Sequence, residues 1–398
     1  MNKIPILVIM EPGFRKRDYE SKYYPLLKKL IDESIFDVDM IASDTPAGRY
    51  LLEERKKGVF LIKFANLGNV GLRLIPTYLS YLLLAFLKAN RLVSKKHYLI
   101  LMSLGGHTYT GLVVSLLSRI RNKISIIRVA GLSRRTVRYR YSWGIILEKI
   151  LYLLEHIAFK TANLIVTNTD LSNYFPSIDK RKIIYVVQGV DTKIFHPRDT
   201  KKMEKESIII TTVSRLSPEK NILSLIKAFA LLKSKYENIK LFIVGFGPEE
   251  DKLKNLARSL KLNDVVFLGY KPPIKVAEIL RDTDIFVIPS LSEGFPSSML
   301  EAMACKVPVI AGPAFKEKKE WYEYVLLADG DEISIANAIE KLIKDAELRK
   351  DLAEKAFLKV VNEYNSELSK DVMSKTILKY LRKYAAENKL RINVPQLK

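Results

Sequence analysis

Short, β-branched apolar runs alternate along this chain with longer stretches whose apolar positions recur every three or four residues. In the first half the runs Ile4–Met10, Phe36–Ile41, Val59–Phe64, Tyr98–Met102, Ile124–Val129 and Leu164–Thr167 read as strands. Between them Tyr23–Glu33, Leu74–Leu87, Thr110–Arg121 and Trp143–Thr161 have helical spacing, and the last gathers Ile146, Ile150, Leu153, Leu154 and Ile157 on one face. The segment Asp191–Glu206 is polar, carries Pro197 and reads as a linker. The pattern then restarts. Strands are predicted at Ile208–Val213, Lys240–Val244, Val265–Leu268, Ile285–Ile288 and Val307–Ala311, with helices at Asn221–Ser234, Glu249–Leu260, Ile274–Asp282 and Ser297–Cys305. Helices Ile333–Lys344, Ala346–Val361 and Leu368–Leu390 close the chain. Alternation of this kind builds βαβ units around mostly parallel sheets. The fold class is therefore α/β, with two doubly wound, Rossmann-like domains at 1–198 and 199–367. Two such domains in series are expected to face a cleft, since open α/β sheets bind ligands at the carboxyl ends of their strands.

Composition fits that reading. The chain has 398 residues, of which 48% are hydrophobic, enough for two cores and too many for a largely disordered protein. Its single cysteine, Cys305, excludes a disulfide framework and fits a reducing compartment. Charge adds something the pattern does not. Lys and Arg number 66 against 44 Asp and Glu, for a net +22. Residues 1–200 hold 32 basic and 16 acidic side chains, and residues 51–150 hold 18 and 3. A basic excess confined to the first half expects an anionic partner: nucleic acid, a phospholipid surface or a phosphorylated substrate.

The opening apolar run is short and broken by Glu11 and Pro12, so it reads as a buried strand rather than a signal peptide. Leu74–Leu87 is shorter than the ~20 apolar residues that cross a bilayer. It reads as a buried core helix. The alternative is an interfacial helix, whose flanking Arg73, Lys88, Arg91, Lys95 and Lys96 would suit anionic headgroups.

Candidate chemistry concentrates in the second half. The stretch from Pro289 to Cys305 follows a strand and opens a helix, with Glu293 in the loop and Glu301 within the helix. Two carboxylates so placed can grip a polyol, because a carboxylate accepting hydroxyl protons makes charge-assisted hydrogen bonds of ~1.5–3 kcal/mol each. Between them the amides of Ser297 and Ser298 start a helix, a ready site for an anion. A second strand-to-helix turn, Val213 to Asn221, carries Arg215 and Lys220, two cations able to converge on one diphosphate and neutralise its charge as it departs.

These segments resemble a known family. Glu293-x7-Glu301, with its flanking Glu-Gly-Phe-Pro and Glu-Ala-Met-Ala, and the turn Ser214-Arg-Leu-x3-Lys220 are similar to those of the retaining, nucleotide-sugar-dependent glycosyltransferases of family 4, which have the two-domain GT-B fold. Gln188–Pro197 resembles the segment that closes that family's first domain, and Ala162–Asn168 the strand before it. The resemblance implies roles by position. Arg215 and Lys220 would bind the donor diphosphate and act in catalysis with Glu293, which would hold hydroxyls of the transferred sugar. Glu301 would hold the ribose, and amides near Phe295 and Ser297 would complete the phosphate site. The turn Leu268–Lys271 would line the base, and Gly13 would approach the donor from the first domain. The last helix, about 368–398, would return to that first domain. No metal and no cofactor are implied, because the nucleotide sugar is itself a substrate. Three Asp-x-Asp pairs, at Asp37/Asp39, Asp282/Asp284 and Asp329/Asp331, read as structural. The chain departs from the family in having a single glycine, Gly13, in its first loop, and Arg128 rather than a histidine at the end of the fifth strand.

Gly245-Phe-Gly begins like a dinucleotide fingerprint but lacks its third glycine, so Gly245 reads as a close-approach turn. Cys305 reads as core. His107, Arg128, and Arg134, Arg135, Arg138, Arg140 and Trp143 in the densest basic-aromatic stretch are the candidates for the acceptor or membrane side. The expected function is hexose transfer from a nucleotide sugar to a glycan or lipid-linked acceptor, at the cytoplasmic face of a membrane with an anionic surface. The alternatives are a sugar-nucleotide epimerase of the same architecture and a basic RNA-binding α/β protein. No nucleic-acid partner is expected, since no RNA- or DNA-reading motif accompanies the basic stretch.

Overall fold

The computed structural model describes residues 3–10, 36–43, 59–62, 74–105, 109–129, 144–168, 171–172, 174–186, 189–198, 207–293 and 296–387. The chain divides into two compact units, 1–187 with 370–398, and 188–369.

The first unit is built on a seven-stranded sheet. Its strands are β1 (Ile4–Met10), β2 (Phe36–Ser43), β3 (Val59–Ile62), β4 (Ile100–Gly105), β5 (Ile124–Val129), β6 (Leu164–Thr167) and β7 (Ile183–Tyr185), in the order β3-β2-β1-β4-β5-β6-β7. All neighbours are parallel. The strands are apolar on both faces, as buried parallel strands must be. One face packs Leu7, Ile9 and Leu101 against α1 (Leu74–Lys95) and α2 (Tyr109–Arg121). Further along it, Ile127 and Ile165 meet α3 (Gly144–Thr161) through Ala158 and Phe159. The opposite face buries Ile6, Val8, Ile100 and Ile126 with Ile377, Leu378 and Leu381 of the last helix of the chain. The tyrosine at position 98, expected in the fourth strand, instead turns out of it. Its hydroxyl donates to Asp39, and Lys96 lies 2.8 Å from Asp37 and 2.9 Å from Asp39, so the two chain ends that begin β2 and β4 are tied by charge.

The apolar stripe of α3 read from sequence points outward: Ile146, Ile150, Leu153 and Ile157 are exposed, while Leu151, Glu155, Ala158 and Phe159 are buried. The rotation is set by Phe159, which packs edge-on against Phe175 at 5.1 Å, and by Ser115 of α2, which donates to the Ala158 carbonyl at 3.0 Å.

The second unit repeats the architecture with six parallel strands in the order β10-β9-β8-β11-β12-β13. They are β8 (Ile208–Val213), β9 (Ile239–Val244), β10 (Val265–Gly269), β11 (Ile285–Ile288), β12 (Val309–Ala311) and β13 (Leu326–Leu327). Its helices are α4 (Ile222–Lys233), α5 (Glu250–Ser259), α6 (Pro273–Arg281), α7 (Ser297–Ala304), α8 (Glu332–Lys344) and α9 (Ala346–Glu363), followed by α10 (Ser366–Glu387). Helix starts follow ordinary capping chemistry: Asp331 accepts from the Ser334 amide and Asp345 from the Leu348 amide, each at 2.8 Å.

The unit boundary differs from the linker read in the sequence. It falls between residues 187 and 188, not at 198. Val190 and Phe195 are buried in the second core, Val190 pairs with Asn365, and Arg281 clasps the carbonyls of Ile194 (2.8 Å) and His196 (3.1 Å). Polar composition marked that segment as linker because its anchoring is done by backbone carbonyls and two apolar residues. Among the described residues no helix is long and apolar enough to cross a membrane.

Candidate functional site

In the second sheet the chain runs outward from β8 in both directions, through β9 and β10 on one side and β11 to β13 on the other. The switch point therefore lies between β8 and β11, the place beyond the carboxyl ends of the strands where open α/β sheets take their ligands. The two loops that leave these strands carry Arg215 and Lys220 after β8, and Glu293 after β11.

The loops are stitched together by backbone. The Leu291 amide donates to the Glu219 carbonyl at 2.9 Å, Leu216 to Phe246 at 3.0 Å, and Gly245 to Gly269 at 2.8 Å. Two glycines make this approach possible. Gly245 has φ +130°, and a Cβ on it would lie 1.8 Å from the Ser214 carbonyl oxygen. A Cβ on Gly247 would lie 2.1 Å from that of Leu216. The aborted fingerprint is thus a close-approach turn pressed on the Arg215 loop. Asn221 ends that loop in the left-handed region (φ 56°), and its side-chain Nδ2 donates to the Gly330 carbonyl at 2.7 Å, fixing where α4 begins.

Two ion pairs occupy the switch point. Lys220 Nζ is paired with Glu293 Oε1, and Ser290 Oγ donates to the same oxygen at 2.8 Å. The Glu293 side chain is only 8% exposed, so its charge is met by protein rather than by bulk water. Arg215 is paired with Glu219 at 2.7 Å, and its Nε donates to Ser217 Oγ at 3.4 Å. The Glu219 carboxylate is fully buried while Arg215 remains 43% exposed, so the guanidinium is anchored at one edge and open at the other.

Ser297 opens α7, and the first amides of a helix have no partner within it. Glu301 lies one turn further, about 6 Å along the axis, and is half-buried. Lys271 follows the end of β10, half-buried beside Tyr270, whose ring meets Phe246 edge-on at 6.4 Å. This end of the sheet therefore presents two anchored cations, two carboxylates and a helix start, a set suited to a molecule that is part polyanion and part polyol.

Residues 194–359 match the family described as glycosyl transferases group 1. The chain is 30% identical to N-acetyl-alpha-D-glucosaminyl L-malate synthase of Bacillus anthracis over 46% of its length and 49% of that protein. It is 28% identical to the capsular polysaccharide biosynthesis glycosyltransferase CapM of Staphylococcus aureus, over 66% of this chain and 72% of CapM. The chain spans about half the length of the first curated relatives it matches. The crystal structure of Anabaena HepE in complex with UDP superposes on 94% of this chain and 99% of its own, with TM-score 0.71 and 17% identity. Added to the two parallel sheets, that likeness gives the fold as GT-B, two Rossmann-like domains in series. The family match and the relatives support a glycosyltransferase.

The remaining sequence candidates fall as follows. Arg128 lies near the end of β5, in register with Leu104 and Val166. Gly13, His107, Arg134, Arg135, Arg138, Arg140, Trp143 and Phe295 lie outside the described residues, as does the helix expected at Tyr23–Glu33. The Asp-x-Asp pairs have partners of their own. Asp37 and Asp39 hold Lys96, Asp282 holds Arg198, Asp284 accepts from the Ile209 amide at 2.9 Å, Asp329 pairs with Lys316 and Asp331 caps α8. Cys305 sits in the second core, where burial pushes its thiol up to about 12. Sequence reasoning missed Glu219 and Ser290. Neither carries a signal of its own, although Glu219 lies four residues past Arg215 in a turn that begins with Pro218.

Proposed function

We propose that this protein is a family 4 glycosyltransferase that moves a hexose from a nucleotide sugar to an acceptor with retention of configuration. The observation that carries the reading is the Lys220–Glu293 pair at the switch point of the second sheet. It puts a cation for phosphate and a carboxylate for sugar hydroxyls on adjacent atoms, each neutralising the other until a ligand arrives. A diphosphate would draw Lys220 away, and Glu293 would then be free to accept from hydroxyls of the sugar attached to it. Arg215 presents its open edge to the same diphosphate, and the amides at the start of α7 complete the anion site. Glu301 takes the ribose, and the turn at Lys271 takes the base. Anabaena HepE was crystallised with UDP, which supports a uridine donor as the first to try.

In the reaction the bond from the anomeric carbon to the diphosphate oxygen breaks, and the acceptor oxygen bonds to that carbon on the same face. The acceptor proton passes to the departing phosphate oxygen. Arg215, Lys220 and the α7 amides stabilise the charge that accumulates there, which lowers the barrier because this charge is larger in the transition state than in the ground state. Side-chain cations and amides meet that charge, so the reaction needs neither metal nor cofactor. The acceptor is a glycan, and the basic first half favours a phosphate-bearing, lipid-linked one at the cytoplasmic face of a membrane.

A thermal-shift panel of UDP-, GDP- and dTDP-sugars tests the reading. A ligand at 100 times its Kd stabilises by about 2.7 kcal/mol, a shift of a few degrees. Stabilisation by one nucleotide class, with sugar transfer from it, is expected. A panel in which no nucleotide sugar moves the melting point would contradict it.

A further inference from the structure

The helices that cover one face of the first sheet carry aliphatic side chains on their outer surface. In α1 the pattern repeats every four residues. Tyr81, Ala85 and Ala89 point inward at 0% exposure, while Leu79, Leu83 and Leu87 stand outward at 59%, 60% and 53%. Ile120 of α2 is 65% exposed, and Ile150 and Leu153 of α3 are 50% and 58% exposed. These surfaces are neighbours. Arg121 of α2 donates to Asn90 of α1 at 2.8 Å, and Ser115 of α2 donates to the Ala158 carbonyl of α3 at 3.0 Å. An apolar field spread over three adjacent helices differs from the single exposed leucines of an ordinary surface and marks a place of contact.

Charge selects the partner. The exposed ridge of α1 runs from its leucines into Arg91 and Lys95, and α2 ends in Arg119 and Arg121. Neither helix contains an acidic residue. In α3 Glu155 is buried and Glu148 half-buried, while Lys149 and Lys160 are exposed. A second copy of this chain would bring the same cations against one another. An anionic bilayer would take the aliphatic side chains below its headgroups and the Lys and Arg among its phosphates.

We propose that the outer surface of α1, α2 and α3 is a docking face for an anionic lipid bilayer. The helices lie on the membrane, since none of them is long and apolar enough to cross it. This inference rests on the functional reading only in expecting a membrane-borne acceptor. Its test uses neither donor nor acceptor.

The full chain is sedimented with vesicles of phosphatidylcholine alone and of phosphatidylcholine mixed with phosphatidylglycerol, at low and high salt. Two variants are compared with the wild type: Leu83→Ser/Leu87→Ser/Ile150→Ser/Leu153→Ser, and Arg91→Ser/Arg119→Ser. All six side chains are solvent-facing, so both variants should keep the wild-type melting point and its UDP affinity. The wild type should partition onto anionic vesicles, and the aliphatic variant should lose roughly ten-fold or more of that partition. The arginine variant should lose the preference for anionic over neutral lipid. A Leu83→Trp variant gives a second reading, since brominated lipid should quench its added emission. The proposal is overturned if the wild type stays in the supernatant, if the aliphatic variant pellets equally, or if Leu83→Trp is not quenched. It is overturned too if sedimentation velocity shows a wild-type dimer that the aliphatic variant dissolves, because a second copy then covers the face. Loss of UDP binding with vesicle binding intact would remove the donor assignment and leave the docking face standing.

Discussion

Arg215 shows what a single side chain needs in order to be useful at such a site. Its charge is held by Glu219, a carboxylate with no exposed surface, while the rest of the guanidinium stays open. Arg215→Ala should therefore act twice. Donor KM should rise and kcat should fall together in steady-state kinetics, because the departing diphosphate carries more charge than the bound one. The melting point should also drop, by the equivalent of about 1 kcal/mol, at the low end for an ion pair to a buried carboxylate because Arg215 is partly solvated. An Arg215→Ala enzyme changed only in acceptor KM would refute the assignment. The two site glutamates are expected to separate in the same assays. Glu301→Gln should weaken binding of UDP itself, whereas Glu293→Gln should spare UDP and damage sugar transfer; equal losses in calorimetry would mean the roles are misassigned. Cys305 is a control of a different kind. With its thiol pushed up to about 12 by burial, it should stay unreactive toward a disulfide reagent at neutral pH and react fully once the protein is unfolded.

At the scale of elements, α8 is clamped to the second core by charge as well as by packing. Glu340 is held by Lys344 of its own helix, by the Tyr236 hydroxyl at 3.0 Å and by Lys235, and its carboxyl is pulled from 4.5 to about 2. A depressed carboxylate contributes stability above its ordinary range and loses it on protonation. Stability should therefore fall as pH drops from about 4.5 toward 2, and Glu340→Gln should flatten that part of the profile in urea titrations. An unchanged acid limb in the variant would show that other groups govern it. The central strands were legible in sequence for a simple reason: a parallel strand covered on both faces must be an uninterrupted apolar run. The edge strands β7 and β13 were not, because three and two residues leave no period to read. The orientation of α3 was not legible, since its outward side is as aliphatic as a core stripe and only Phe159 and Ala158 decide which side goes in. At the site, Arg215, Lys220, Glu293 and Glu301 stood out by their place in two strand-to-helix turns. That Lys220 and Glu293 meet is a consequence of strand order, which no local pattern encodes.

For the whole molecule, the last helix completes the first unit despite its distance in sequence. Ile377, Leu378 and Leu381 of α10 close the face of the first sheet, and the Tyr380 hydroxyl donates to the Asn163 carbonyl at 2.6 Å. Leu381→Ala should cost about 2–5 kcal/mol, the usual range for a large-to-small change in a core. Hydrogen exchange should show the loss in β5 and β6 while leaving β8 to β11 protected. Uniform deprotection of both units would contradict the division of the chain. The claim on which the function rests is that the switch point of the second sheet holds the donor diphosphate, with Lys220 passing from Glu293 to phosphate when it binds. Titration calorimetry of UDP into the wild type and into Lys220→Ala tests it most directly. A single site in the wild type, weakened roughly ten-fold or more in the variant as one charge-assisted contact requires, is the predicted result. UDP bound equally well by Lys220→Ala would contradict it.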